Sequence, residues 1–305
     1  MTYESRSIKR TRRTKAEMQA LRDGIHEIAR DNRVCTIRQI YYLGIGRYWD
    51  KDTGGKRKNY SMVVRLAGQM REAEDGSLPW DWVADNSRYV RRPEMYLSAG
   101  DALENCIRYY RRDAWQDQPY RVEVWCESDS ISGVIYDVTS KYGVGLYPCG
   151  GQSGKSFVRE AAIAHRESGK PVYVIYAGDW DPSGLSIPRA VEERMQRYGH
   201  RDVQMHFSRV GVNPEDVMHG EYTSHSTNKR DPNYRRFVKA CRDHDLDPDV
   251  SVEVEALPPA ELRERIEDKI ISLVDVDAWH STVEAESSER EFMQQWRNQF
   301  IGLDQ

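Results

Sequence analysis

The sequence predicts an α/β protein in which a small helical domain precedes a mainly parallel, Rossmann-like sheet with covering helices. Three observations carry that prediction. Between residues 121 and 177, strand-like apolar runs alternate with helix-like stretches, the order that builds a parallel sheet. Two of those runs lead into acids, at Glu127 and at the pair Asp179 and Asp181, and such sheets gather their ligands at the carboxyl ends of strands. Ahead of them lie three short stretches with helical apolar spacing.

Residues 1–13 form a basic arm, with Arg6, Lys9, Arg10, Arg12 and Arg13 and no apolar period; they are expected to order on phosphate or to remain a solvated tail. From Thr14 to Arg30, Met18, Leu21, Ile25 and Ile28 recur at helical spacing. Thr36 is an N-cap candidate for a second helix reaching Leu43. A polar loop from Asp50 to Asn59 brings Lys56, Arg57 and Lys58, cations that suit DNA phosphates, and a third helix from Tyr60 to Glu72 turns Met62, Val63, Leu66 and Met70 inward. Trp80 to Asp85 partly alternates and reads as a short strand. Three helices and a β-wing over residues 14–92 describe a winged-helix DNA-binding domain, followed by a helical linker at 93–118.

The second domain covers 119–275, and residues 276–305 read as a C-terminal helix. A strand from Arg121 ends on Glu127, a helix spans Ile131 to Lys141, a strand Gly143 to Tyr147, and a helix Lys155 to Glu167. The run from Val172 to Ile175 then leads to Gly178-Asp-Trp-Asp-Pro-Ser-Gly184. On extended chain Asp179 and Asp181 share a face, and hard carboxylate oxygens at a strand end suit Mg2+. The plainer reading is a turn started by Asp-Pro; Glu127 and the helix order favour the metal. In the turn Gly150 to Gly154, Cys149 stands where a Walker loop needs glycine, which rejects an NTPase. Gly151, Ser153 and Lys155 stay candidates for a DNA phosphate beside a plain strand-to-helix turn.

On the second helix, Arg38 and Tyr42 are four apart and share a face, with Tyr41 one position round. A deprotonated phenol attacks a phosphodiester when a cation meets the developing charge, and packing aromatics are the alternative. Glu253 and Glu255 read as alternating on a strand, either completing a metal shell or as edge charges. Lys229 to Lys239 reads first as a solvated helix face and second as a track for a DNA backbone. The eight histidines, His165 and His225 among them, form no metal-ligand motif, and the five cysteines hold no C-x-x-C pair. The net charge of −4 hides an asymmetry: residues 1–118 carry 23 Lys/Arg against 17 Asp/Glu, the remainder 22 against 32. A basic front and an acidic back fit a DNA-gripping module joined to a metal-binding one. No apolar run nears the roughly 20 residues of a membrane span, and the expected location is cytoplasmic and nucleoid-associated.

One acid after a first strand and an Asp-x-Asp pair after a later one resemble the Toprim domain. With Arg38-Gln-Ile-Tyr-Tyr42 ahead of it and Val252-Glu-Val-Glu-Ala-Leu-Pro258 behind, the chain from Thr14 to Ile271 resembles the A subunit of type IIB topoisomerase, topoisomerase VI, and its relative, the meiotic double-strand-break transesterase. The resemblance implies that Tyr42 is the nucleophile, Tyr41 its fallback, Arg38 the neighbouring cation, and Glu127, Asp179 and Asp181 the Mg2+ ligands. It implies Mg2+-dependent cleavage of duplex DNA that leaves the protein on a 5′ phosphate. It also implies a twofold homodimer in which each tyrosine works against the other protomer's metal site, and an ATPase B-type subunit as a partner to be sought. Ser128 stands where the family has a basic residue after the acid, the chain is shorter than full A subunits, and it holds no ATPase region. It therefore looks most like the compact stand-alone versions of bacteria and mobile elements. Two rivals remain: a hydrolytic Toprim nuclease of a defence or mobile-element system, and a non-enzymatic winged-helix DNA-binding protein.

Overall fold

A computed structural model describes residues 13–53, 57–84, 93–149, 155–199 and 204–301, with backbone only at 155–157, 199, 300 and 301. The chain forms two compact units, Met1–Ala84 and Asp85–Gln305.

In the first unit, α1 (Lys15–Asp31) starts at Thr14, whose side chain and that of Glu17 exchange hydrogen bonds with each other's backbone N–H. Thr36 and Gln39 repeat that capping box for α2 (Ile37–Leu43), as the N-cap signal predicts. α3 (Lys58–Glu72) has no cap from its own N-cap residue. Its start is held from a distance: the Asp52 carboxylate accepts from the N–H groups of Asn59 and Tyr60, both at 2.8 Å. Asp52 is itself fixed by Tyr41, whose hydroxyl accepts the Asp52 N–H at 2.9 Å. The Trp49 indole donates to the Tyr41 carbonyl at 2.8 Å and lies so close to Gly44 that a Cβ there would sit 2.1 Å from its ring. Gly44 thus lets Trp49 seal the end of α2. Leu21, Ile25, Ile28, Met62, Val63, Leu66 and Met70 form the shared core, and Met18 packs on its edge.

The strand expected at Trp80 to Asp85 is instead a 3-10 helix over Trp80–Trp82, followed by one β-bridge from Val83 to Cys35. Pro79 ahead of the segment and the i, i+2 tryptophans mimic strand alternation, but an isolated pair of residues supplies no ladder. The remainder of the expected wing, residues 85–92, lies outside the described residues.

The second unit opens with α4 (Ala99–Tyr109). β1 (Arg121–Cys126), α5 (Asp129–Lys141), β2 (Gly145–Pro148), α6 (Lys155–Ser168), β3 (Val172–Ala177), α7 (Pro182–Gly199) and β4 (Met205–Gly211) then alternate. The four strands form one parallel sheet in the order β2-β1-β3-β4. Trp125, Val172, Val174 and Tyr176 share a core with Val158 and Ala162 of α6 and Val191 and Met195 of α7. α5 and α10 (Pro259–Ile271) pack on one another and on the strands. Between β4 and α10 the chain forms α8 (Pro214–His219), β5 (Ser224–Ser226), α9 (Tyr234–Asp243) and β6 (Val250–Val252), and β5 pairs antiparallel with β6.

α11 (Val276–Ile301) closes the unit. The segment read as a linker is docked on it: Tyr110 donates to Glu289 at 2.5 Å, and Arg112 donates from its backbone to Glu286 and from its side chain to Glu289. No described helix is long and apolar enough to cross a membrane.

Tyr41→Phe removes the acceptor of the Asp52 N–H and is expected to lower stability by about 1 kcal/mol, measured by urea unfolding of the full chain.

Candidate metal centre

β1 and β3 are adjacent and in register, Cys126 opposite Ala177, so their carboxyl ends deliver Glu127 and Gly178-Asp179 side by side. The two aspartates lie beyond the strand, not on it. Trp180 between them forms a single antiparallel bridge with Val252, N–H to carbonyl in both directions at 2.8 and 3.1 Å. That bridge fixes the backbone between Asp179 and Asp181.

Each acid is half-buried and spends one oxygen on a backbone N–H. Glu127 Oε2 accepts from Asp179 at 2.8 Å, Asp179 Oδ1 from Val254 at 2.8 Å, and Asp181 Oδ1 from Gly184 at 2.6 Å, inside the first turn of α7. Gly184 is required for this closeness: a Cβ there would stand 2.3 Å from the Asp179 carbonyl oxygen and 3.0 Å from Glu127 Oε2. Pro182-Ser-Gly184 is therefore the packed start of a helix as well as a turn.

Glu255 is the fourth acid. The strand expected to carry it ends at Val252, and a 3-10 helix over Val254–Ala256 follows Glu253. The tight turn drives Glu255 inward to 2 % exposure, where the hydroxyls of Ser130 and Ser128 donate to it at 3.2 and 3.4 Å. Ser128 thus caps α5 and faces an acid.

The electrostatics follow from crowding. Burial, then the charges of Asp181 and Glu255, raise the Glu127 carboxyl to about 7 against the Asp179 N–H that lowers it. Burial together with Glu127 and Glu255 pushes Asp179 well above the carboxylate range. Asp181 is raised by burial and by Asp231 and Glu253, opposed by the Gly184 N–H and by His225. His225 is a neighbour that no motif marks.

Arg209 was also invisible in the sequence. Its guanidinium donates to the carbonyls of Gly178, Asp179, Val212 and Gly211 through Nη1 and to Gly184 through Nη2, at 2.7 to 3.4 Å, and lies 5.0 Å over the Tyr176 ring. Burial lowers its pKa while Tyr176, Glu127, Asp179 and Asp181 hold it up.

Among the described residues no three acid, imidazole or thiolate side chains converge tightly enough to enclose a cation as they stand. Their donor chemistry nonetheless fits one. Glu127, Asp179 and Asp181 each retain an oxygen with no hydrogen bond among the described residues, the oxygens are hard, and the nearest cation, Arg209, spends its N–H groups on carbonyls. Glu127, Asp179, Asp181 and Glu255 are the side chains that would hold Mg2+.

The tyrosine pair belongs to the first unit. Tyr41 is buried at 6 % exposure, its ring edge-on to those of Tyr42 and Tyr60. Its hydroxyl accepts the Asp52 N–H at 2.9 Å. Tyr42 and Arg38 are both half-buried, one turn apart on α2. Arg57 and Lys58 are exposed at the start of α3, and Arg13 reaches the same place, touching Asn59 Oδ1 at 3.3 Å and the Met62 sulfur. Arg10, Arg12, Lys56 and Gly150–Gly154 lie outside the described residues, as does the side chain of Lys155. Lys229 is withdrawn from the expected basic patch by its ion pair with Asp249 at 2.7 Å.

Two outcomes are expected of this geometry. Without divalent metal, Asp179→Asn melts higher than the wild type, because it relieves like-charge crowding; Mg2+ at tenfold its Kd stabilises the wild type by about 1.4 kcal/mol and leaves the variant unmoved. Thermal melts in chelator and in Mg2+ read both. Arg209→Met removes the donor shared by five carbonyls, of which Gly178, Gly211 and Gly184 keep another, and is expected to cost about 2–3 kcal/mol in urea unfolding.

No protein-family model matches the chain, and no curated protein matches it.

Proposed function

We propose that the chain is a Mg2+-dependent tyrosine transesterase that breaks both strands of duplex DNA, in the manner of type IIB topoisomerase A subunits. The observation that carries the reading is the gathering of Glu127, Asp179, Asp181 and Glu255 at the carboxyl ends of adjacent parallel strands, in a chain that also presents Tyr42 one helical turn from Arg38. In this reading the second unit is a Toprim domain and the first a winged-helix domain. The four-stranded parallel sheet and the three-helix core support those two assignments respectively.

The Tyr42 oxygen attacks a backbone phosphorus as its phenol proton leaves, and the bond from phosphorus to the deoxyribose 3′ oxygen breaks. The 3′ oxygen takes up a proton, and the DNA 5′ phosphate stays esterified to Tyr42. Reversal reseals the strand with no ATP consumed in the step. Arg38 sits where its cation offsets charge growing on the phenol oxygen and the phosphoryl oxygens. Bound Mg2+ supplies Lewis-acid charge stabilisation at the phosphate. Cutting both strands calls for two protomers, so a twofold homodimer belongs to the proposal, as do a cytoplasmic, nucleoid-associated location and recruitment of a separate ATPase subunit.

One observation favours a second reading, a hydrolytic Toprim nuclease: all four acids are supplied by the second unit, so the metal site needs nothing from Tyr42. The two readings differ in their product. Supercoiled plasmid incubated with Mg2+ and then denatured is expected to yield protein-linked 5′ ends that disappear in both Tyr42→Phe and Asp179→Ala. Free 5′ phosphates that persist in Tyr42→Phe and vanish in Asp179→Ala would replace the transesterase by the nuclease.

A further inference from the structure

α9 is tied to the acid loop at two places. Asp231, three residues before the helix, accepts from Ser183 Oγ in the first turn of α7 at 2.9 Å and from the Asn233 N–H at 2.7 Å. The Trp180 ring, between the two aspartates, packs on Phe237 with centroids 6.1 Å apart and edge-on to His244 at 6.2 Å. Phe237 and Cys241 are buried, which fixes the rotation of α9 about its axis. The opposite face then carries Arg235, Lys239 and Arg242 at i, i+4 and i+7, stacked one above another, with Arg236 beside them, all exposed.

On α7 and α11 cations are matched by acids one turn away, as in the pairs Arg189–Glu193 and Arg290–Glu286. α9 places its single acid, Asp243, at its last residue, and among the described residues none of its four cations has an ion-pair partner. At about 1.5 Å per residue the stripe from Arg235 to Arg242 is roughly 10 Å long. That spans about three phosphates of one strand of a duplex.

We propose that this face of α9 grips the phosphate backbone of the duplex DNA that enters the acid site. The proposal rests on the reading that the site acts on DNA and adds the surface that leads the substrate to it. Trp180 is the mechanical link: the residue that spaces the two aspartates also seats the helix that holds the backbone.

The test is the salt dependence of duplex binding by the full chain, followed by anisotropy of a short fluorescent duplex in chelator, where nothing is cut. Arg235→Gln/Lys239→Gln/Arg242→Gln is expected to flatten the slope of log K against log salt by about 2 to 3, while Arg235→Lys/Arg242→Lys keeps the wild-type slope. The triple variant is expected to keep the Mg2+-dependent melting shift, which separates loss of the face from loss of the site. A triple variant with the wild-type slope overturns the role of α9 and leaves the DNA reading standing. A wild type that binds no duplex overturns both. Binding of an acidic polypeptide in place of duplex reassigns the face to a protein partner and overturns the proposal.

Discussion

The second unit depends on the guanidinium of Arg209. Three pieces of chain meet at the same rim of the sheet: β3 runs out into Gly178 and Asp179, β4 into Gly211 and Val212, and the first turn of α7 holds Gly184. All three turn carbonyls toward the guanidinium; backbone N–H groups also reach those of Gly178 and Gly211, and the Tyr176 hydroxyl reaches that of Gly184. A planar fork with five N–H groups is the side chain that binds such a cluster without losing its charge. The same charge lies beneath Glu127, Asp179 and Asp181 and offsets part of their mutual repulsion. One residue thus joins the strand ends and makes the acid cluster tolerable.

The cluster remains a source of instability that the fold holds in place by other means. Backbone N–H groups of Asp179, Val254 and Gly184 fix one oxygen of each acid, and two serine hydroxyls hold Glu255. Donors of this kind orient a carboxylate without neutralising it, so the site keeps an electrostatic demand for a cation. A core selected for stability alone would place apolar side chains at these positions. Acids oriented by backbone donors at the open end of a parallel sheet present the hard oxygens that a divalent metal takes.

Much of this was legible in the sequence, and the reasons are local. Periodicity located α1 and α3, Thr36 announced α2, and the alternation from Arg121 onward marked three of the sheet's four strands with boundaries off by one or two residues, β4 going unread. Glu127, Asp179 and Asp181 were legible because an acid after an apolar run is a pattern in neighbouring residues. Arg209 was not, because its partners lie up to 31 residues away and nothing beside it in sequence marks a carbonyl cage. Trp80 to Trp82 failed because i, i+2 aromatics fit a 3-10 turn as well as a strand when no second strand is present to decide. Glu255 was visible as an acid, but its direction was set by a 3-10 turn that alternation misreads.

The adjacent tyrosines show how far a motif reaches before packing decides. In the sequence Tyr41 and Tyr42 are equivalent phenols one residue apart. On a helix they point about 100° apart, so when Ile40 and Tyr41 enter the core, Tyr42 is carried toward the face that Arg38 shares. Tyr41 then acquires a task of its own: its hydroxyl holds Asp52, Asp52 caps α3, and its carbonyl takes the Trp49 indole that closes α2 over Gly44. A phenol enclosed in a small core at 6 % exposure is poorly placed to reach a phosphate. The division follows from helical geometry and burial: Tyr41 is enclosed by the core, and Tyr42 stands half-buried at its edge on the face that Arg38 shares.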